Sequence, residues 1–263
     1  MQIYKNYLNI LLKIGIKKGD IVFLASDLLK TIISFKKKGK KFNFDKFVNT
    51  IIFCLGSEGT LIIPTYNWDF CRGKSFDIKK TKSECGSLSN FVLQRNDFKR
   101  TKHPIYSHAV WGNYQNYLCK LNNKSAWGKN SLFDFLYKFK SKNLFIGIDF
   151  KNAFTMDHYF EQIAKVKYRY HKKFISTYIN ENKKKQKKEY TMFVRKPKIC
   201  DLTVLSPKLD KFFKKNKVLT TIKRNDIIFS VININKAGKL LIKDLKTQTN
   251  EYIYPVKLKI NKT

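Results

Sequence analysis

His158 and Glu161 stand three residues apart in Phe154-Thr155-Met156-Asp157-His158-Tyr159-Phe160-Glu161, a stretch that reads as a helix from about Phe154 to Val166. On a helix this spacing puts both side chains on one face, where the carboxylate can orient the ring and stabilise imidazolium. A histidine so held is suited to taking a proton, because small changes in its surroundings tune imidazole to the working pH. By itself an H-x-x-E pair is a weak signal. Asp157 projects about 100° away around the helix and reads as an outside or capping residue.

Two further clusters carry chemistry. In His103-Pro104-Ile105-Tyr106-Ser107-His108, the proline holds His103 extended, which suits a loop lining a cleft; a turn closed by its own hydrogen bonds is the other reading. Tyr66-Asn67-Trp68-Asp69 follows an apolar strand at its C-terminal end, where α/β folds place ligands. Tyr66 and Trp68 can stack on a sugar while Asp69 pairs with its ammonium, or both rings can pack beneath a loop. His171, between Tyr170 and Lys172, reads as surface. The five cysteines form no CxxC pair, so free thiols in a reducing compartment are expected, and no metal site.

These residues need a scaffold. Tyr4–Ile14 and Phe42–Leu55 read as helices closed by Gly15 and Gly56, and Asp20–Ala25, Thr60–Pro64 and Leu144–Ile148 as buried strands. Strands alternating with helices predict an α/β fold. Lys172–Asn180, Lys188–Val194, Asp226–Ile234, Leu240–Leu245 and Tyr252–Ile260 read as successive antiparallel strands. The expectation is one domain, 1–263: an α/β core over 1–175 and a β-rich section over 176–263. No apolar run is long enough to span a membrane, and no signal peptide opens the chain, so a cytoplasmic protein is expected.

The 263 residues include 54 Lys+Arg against 19 Asp+Glu, a formal charge of +35, yet 43% hydrophobic residues exclude a disordered chain. Only six of the 54 bases are arginines, which argues against a surface that reads nucleic acid by bidentate forks. The run Lys183–Lys188 reads as a solvated hairpin tip.

Six segments in order carry a resemblance. They are Gly19-Asp20-Ile-Val-Phe-Leu-Ala25-Ser26-Asp27-Leu28; Gly56-Ser-Glu-Gly59-Thr60-Leu-Ile-Ile-Pro64-Thr65-Tyr66; Cys85-Gly86-Ser87-Leu88-Ser89; Arg100-Thr-Lys-His103-Pro104-Ile-Tyr-Ser107-His108-Ala109; Trp127-Gly128-Lys-Asn-Ser131-Leu132-Phe133; and Gly147-Ile-Asp149 through Asn152 to His158 and Glu161. Together, over roughly residues 17–175, they resemble the aminoglycoside 3-N-acetyltransferase family, which includes acyltransferases acting on sugar-nucleotide amines. The resemblance implies a layered α/β/α core with a mixed sheet, acetyl-CoA as acyl donor, and His158 as the catalytic base with Glu161 orienting it. It places Ser26, Asp27 and Leu28 beside coenzyme A, Ser107 and His103 on the acyl-donor side, and Asp201 as a further acid near the amine. Ala25 stands where the family usually has histidine, and Asp27 where it has a second serine.

The expected reaction is direct N-acyl transfer in a ternary complex. Polycationic aminoglycosides call for carboxylates, which this chain has in short supply. The lysine-rich surface instead favours an anionic acceptor, a nucleotide-linked amino sugar such as a dTDP-aminodeoxyhexose for surface polysaccharide. The alternatives are an aminoglycoside acetyltransferase conferring resistance and a basic nucleic-acid-binding protein without catalysis. Oligomeric state is left open, a dimer included.

Overall fold

The computed structural model describes residues 2–196, 205–247 and 252–253. The first half runs α1 (Gln2–Lys13), β1 (Ile21–Ser26), α2 (Leu29–Lys37), α3 (Phe44–Leu55), β2 (Thr60–Pro64), β3 (Phe76–Asp77), α4 (Ser87–Val92), β4 (Lys99–Arg100), β5 (His108–Gly112) and α5 (Gln115–Lys120). It continues through α6 (Leu132–Lys138), β6 (Lys142–Ile146), α7 (Met156–Ala164), β7 (Arg169–Ile179), β8 (Lys185–Arg195), α8 (Lys208–Lys215), β9 (Leu219–Arg224), β10 (Ile227–Asn233) and α9 (Ile234–Lys246).

Seven strands form a mixed sheet in the order β4-β5-β2-β1-β6-β10-β9. Its centre, β2-β1-β6, is parallel, and the flanking strands β5 and β10 pair antiparallel to it. Alternation along the central strands feeds two separate cores. Val22, Leu24, Leu61, Ile63, Leu144 and Ile146 face the layer of α1 and α3, whereas Phe23, Ile62 and Phe145 face that of α6, α7 and α9. The result is a layered α/β/α core, as expected. A second sheet, β3-β7-β8, is built on the long β7–β8 hairpin. No described helix is long and apolar enough to cross a membrane.

The C-terminal section carries the antiparallel pairs β7–β8 and β9–β10. Leu240–Leu245, read as a strand from its apolar run, belongs instead to α9. Its buried residues Ile234, Ala237, Gly238, Leu241 and Leu245 follow helical spacing, and Asn233 caps the helix by accepting from the Lys236 amide at 2.9 Å. Gly238 lets α9 lie close against Tyr137 and Phe160, where a β-carbon would collide with both rings. Asp201 and all of Tyr252–Ile260 beyond Ile253 lie outside the described residues.

The parallel centre places three connections at one end of the sheet. Ser26 ends β1, Thr65 follows β2, and Gly147 follows β6 and turns back over the β1 exit. Gly147 has φ +74°, and a β-carbon there would strike the Asp27 carbonyl oxygen. From Gly147 the chain passes through a 3₁₀ turn at Phe150–Asn152 into α7, which carries His158 and Glu161.

Candidate active site

Helix α7 packs Met156, Tyr159 and Phe160 into the core and leaves the His158 side chain 24% exposed at its first turn. Glu161, one turn on, is wholly buried, with Oε2 3.2 Å from His158 Nδ1. The carboxylate is held at both oxygens. The Tyr168 hydroxyl donates to Oε1 at 2.9 Å, and Arg169 Nη2 lies 2.6 Å from Oε2. Arg169 Nη2 also lies 3.0 Å from His158 Nδ1, while its Nη1 donates to the Phe193 carbonyl of β8 at 2.8 Å.

Of the two readings of Asp157, outside or capping, the outward one fails, and the side chain turns back on the start of α7. It is buried, its Oδ1 accepts from the His158 amide at 2.7 Å, and the same oxygen lies 3.0 Å from His158 Nδ1. As a first-turn residue its short side chain folds back on the helix start instead of following the outward radius. Burial, reinforced by the Glu161 charge, raises the Asp157 carboxyl above its ordinary range; His158, Arg169 and Arg195 pull the other way. Nδ1 thus faces two carboxylates and a guanidinium, while Nε2 makes no hydrogen bond among the described residues, which leaves it the nitrogen able to take a proton. Asp157, His158 and Glu161 offer ligand atoms all within 4.8 Å of one another. Arg169 already supplies the positive charge there, and a divalent cation would compete with it.

A row of rings runs from the helix to the β2 exit. Trp127 lies edge-on to His158 at 4.9 Å, Tyr106 lies 4.8 Å from Trp127, and Tyr66 lies 4.5 Å from Tyr106. Trp68 reaches the row at 6.4 Å from Tyr106 and is partly exposed. Tyr66 is buried, its hydroxyl 3.3 Å from His108 Nε2, so of the two readings it takes the packing one. Asp69 does not offer a free carboxylate: Oδ1 is bound by Arg72 at 2.7 Å and Lys74 at 3.2 Å, and these bonds hold it below the usual carboxylate range.

Ser107 and His103 are also placed otherwise than expected. Ser107 is 0% exposed, and its hydroxyl donates to the Thr65 carbonyl at 2.8 Å and accepts from Arg100 Nε at 3.0 Å, so it is spent inside the protein. His103 is buried with Nδ1 accepting from the Tyr106 amide at 3.0 Å, the self-closed turn, and burial pushes it down to about 3. His108 is pushed down to about 3 in the same way. Both rings are neutral supports beneath the aromatic row.

At the β1 exit, Ser26 is half-buried and Leu28 buried, while the Asp27 carboxylate is exposed and accepts from the Leu29 amide at 2.9 Å. This loop opens α2, whose first turn carries Lys30 and no acidic residue. A helix start beside a cation is a setting that fits a phosphate-bearing cofactor.

Sequence reasoning missed Arg169 and Tyr168. They stand seven and eight residues past Glu161, a phenol and then a cation, beyond the end of the helix that buries that acid.

A family model described as aminoglycoside 3-N-acetyltransferase matches residues 34–243. Among solved structures, the chain is similar to AAC-VIa bound to sisomicin (15% identity, 93% of this chain and 98% of that one, TM-score 0.77). It is also similar to AAC-IIIb in a binary structure with CoASH (13%, 96% and 98%, TM-score 0.76). A third is the YokD protein of Bacillus subtilis (20%, 91% and 97%, TM-score 0.72). No curated protein matches the sequence. These findings overturn the expectation of a nucleotide-linked amino sugar and of polysaccharide biosynthesis: the matching family model is that of aminoglycoside acetyltransferases, and one similar fold holds an aminoglycoside. The physical error lay in using net charge, a property of the whole surface, to judge the local recognition of one ligand.

Proposed function

Because the chain belongs to the aminoglycoside 3-N-acetyltransferase family, we propose that it acetylates an amine of an aminoglycoside, with His158 as general base. Family membership makes it an acyltransferase that uses acetyl-CoA as donor and an amine as acceptor. The observation that carries the proposed mechanism is the arrangement at His158, whose Nδ1 is enclosed by Asp157, Glu161 and Arg169 while Nε2 stays open.

Bound acetyl-CoA supplies an electrophilic thioester carbonyl and a thiol leaving group. An alkylammonium has no lone pair, so the acceptor amine must shed a proton before or during attack. Nε2 of His158 takes that proton. The imidazolium so formed keeps its Nδ1 hydrogen against Asp157 Oδ1 and Glu161 Oε2, so the new charge is neutralised where it appears. Trp127 limits the tilt of the ring and shields it from water. The Ser26–Leu28 loop and the start of α2 hold the donor's phosphates, and partly exposed Trp68 offers a face to the acceptor's rings.

The test is mass spectrometry of small-molecule products after incubation with acetyl-CoA and sisomicin, and with a second aminoglycoside. A thiol dye would also read the protein's five cysteines. A product heavier by one acetyl group, absent with folded His158→Ala, is the expected result. No acetylated product from folded wild type overturns the substrate, and an undiminished rate in His158→Ala overturns the base.

A further inference from the structure

The geometry points to Arg169 as a positioning residue that keeps the His158 ring available as a base, by neutralising the two carboxylates that would otherwise hold it protonated. The inference rests on the reading of His158 as general base and adds to it a residue that does not touch the substrate.

Among the described residues, the charged and titratable groups that face the ring come from three elements and the segments beside them. Asp157 and Glu161 come from α7, with oxygens 3.0 and 3.2 Å from Nδ1. Arg169 comes from the first residue of β7, with Nη2 3.0 Å from Nδ1. Arg195, at the end of β8, acts on Asp157 through its charge. Tyr168 donates to Glu161 Oε1, and Trp127 covers the ring from the segment before α6. With two carboxylates beside it and no guanidinium, a histidine favours imidazolium, and a protonated ring cannot accept the amine's proton. Arg169 offsets that pull. Its side chain is 3% exposed, and water screens the interaction little.

The same contacts select the tautomer. Arg169 Nη2 makes its charge-assisted bond to Oε2 at 2.6 Å, and Nδ1 faces two carboxylate oxygens, Asp157 Oδ1 at 3.0 Å and Glu161 Oε2 at 3.2 Å, which accept and do not donate. Nδ1 therefore keeps its own hydrogen, directed to Asp157 Oδ1, and the lone pair sits on Nε2. The bond from Nη1 to the Phe193 carbonyl fixes the plane of the guanidinium. A lysine, with one rotating ammonium, cannot span the Phe193 carbonyl and Glu161 together.

The experiment is 15N NMR of the full chain labelled at histidine, recording the protonation of His158 against pH in wild type, Arg169→Gln, Arg169→Lys and Asp157→Asn. The chain has only four histidines, and His158→Ala assigns the resonance. Loss of the guanidinium in Arg169→Gln is expected to move protonation of the ring to higher pH by about one unit or more. Asp157→Asn moves it lower, and Arg169→Lys lies between wild type and Arg169→Gln. In steady-state kinetics, the acid limb of kcat for Arg169→Gln shifts up in parallel, with KM for the acceptor little changed; a merely structural arginine would not move that limb. Protonation at the same pH in wild type and Arg169→Gln overturns the proposal. If Arg169→Gln does not fold, Asp157→Asn and Arg169→Lys carry the test, and no displacement in either overturns it. NMR needs no acceptor, so shifted titrations without an acetylated aminoglycoside would sink the substrate reading alone, whereas acetylation with unshifted titrations would sink the role of Arg169 alone.

Discussion

Lowering the pH from 7 to 5.5 should weaken the fold through two histidines remote from the chemistry. His103 and His108 are buried, and burial pushes each down to about 3 from an ordinary 6.5. In the unfolded chain both take up protons as the pH drops through 6.5, while in the folded protein neither does until near 3. Their stabilising contribution is therefore fully present above 6.5 and is lost as the pH falls toward 3. Integrating that difference between pH 7 and 5.5 gives about 1 kcal/mol for each ring, or roughly 2–3 kcal/mol for the pair. This is a large share of the ~5–15 kcal/mol that holds a typical protein folded. Asp157, raised by burial, acts in the opposite sense, since its buried charge costs stability that returns as the pH falls. The assay is urea denaturation at pH 7 and pH 5.5 for wild type, His103→Gln and His108→Gln. Each variant has a lower baseline stability, yet each should lose about 1 kcal/mol less than wild type between the two pH values. Equal losses in wild type and both variants would refute the reasoning.

His158→Ala and Glu161→Gln should differ in opposite directions for activity and stability. The partly exposed histidine, once removed, should cost about 10²- to 10⁴-fold in kcat with little change in Tm, as read by product mass spectrometry and calorimetry. Glu161→Gln should retain more turnover but lose about 3 kcal/mol, because it removes the buried carboxylate that Arg169 pairs with at 2.6 Å. Gly147→Ala should destabilise the fold by about 2 kcal/mol or more, through its left-handed backbone and the collision with the Asp27 carbonyl, and so lower Tm. By displacing the Ser26–Leu28 loop, it should also raise KM for acetyl-CoA more than KM for the acceptor; a selective change in acceptor KM would contradict the assignment of that loop.

What the sequence made legible was whatever depends on short-range pattern. Thr60–Pro64 and the Asp20–Ala25 run are apolar at successive positions because a central parallel strand is covered on both faces, and the glycines beside them mark the turns. The His158–Glu161 spacing fixes their common face in the same local way. Ser107 was illegible because its fate depends on Arg100 and Thr65, which reach it only across folded strands. Arg169 was hidden differently. It is one of 54 bases, and its partnership with Glu161 forms only when β7 returns beside α7. Leu240–Leu245 misled because the window began after Ile234 and Ala237, whose burial reveals the helical period.

The +35 charge misled because its lysines are mostly solvated, whereas acids are drawn toward the connections leaving β1, β2 and β6. Asp27, Asp69, Asp149, Asp157 and Glu161 lie on those connections or on α7, and Glu84, between β3 and α4, accepts from the Trp68 amide at 3.0 Å, which makes six of the chain's 19 acidic residues. Several are balanced by adjacent cations, as Asp69 is by Arg72 and Lys74 and Asp149 by Lys151, so this end of the sheet is nearer neutrality than the molecule as a whole. The two scales can be separated by salt. If surface lysines dominate, a polycationic acceptor is repelled on approach, and added salt lowers its KM by screening that repulsion. If the carboxylates at the sheet end dominate, salt weakens the attraction and raises KM. Screening acts over about 8 Å at physiological ionic strength, so exposed lysines lose their reach well before carboxylates in contact with a bound ammonium do. The expected outcome is an acceptor KM that rises between about 50 and 300 mM salt while KM for anionic acetyl-CoA rises with it; an acceptor KM that falls would show that the local carboxylates do not govern recognition.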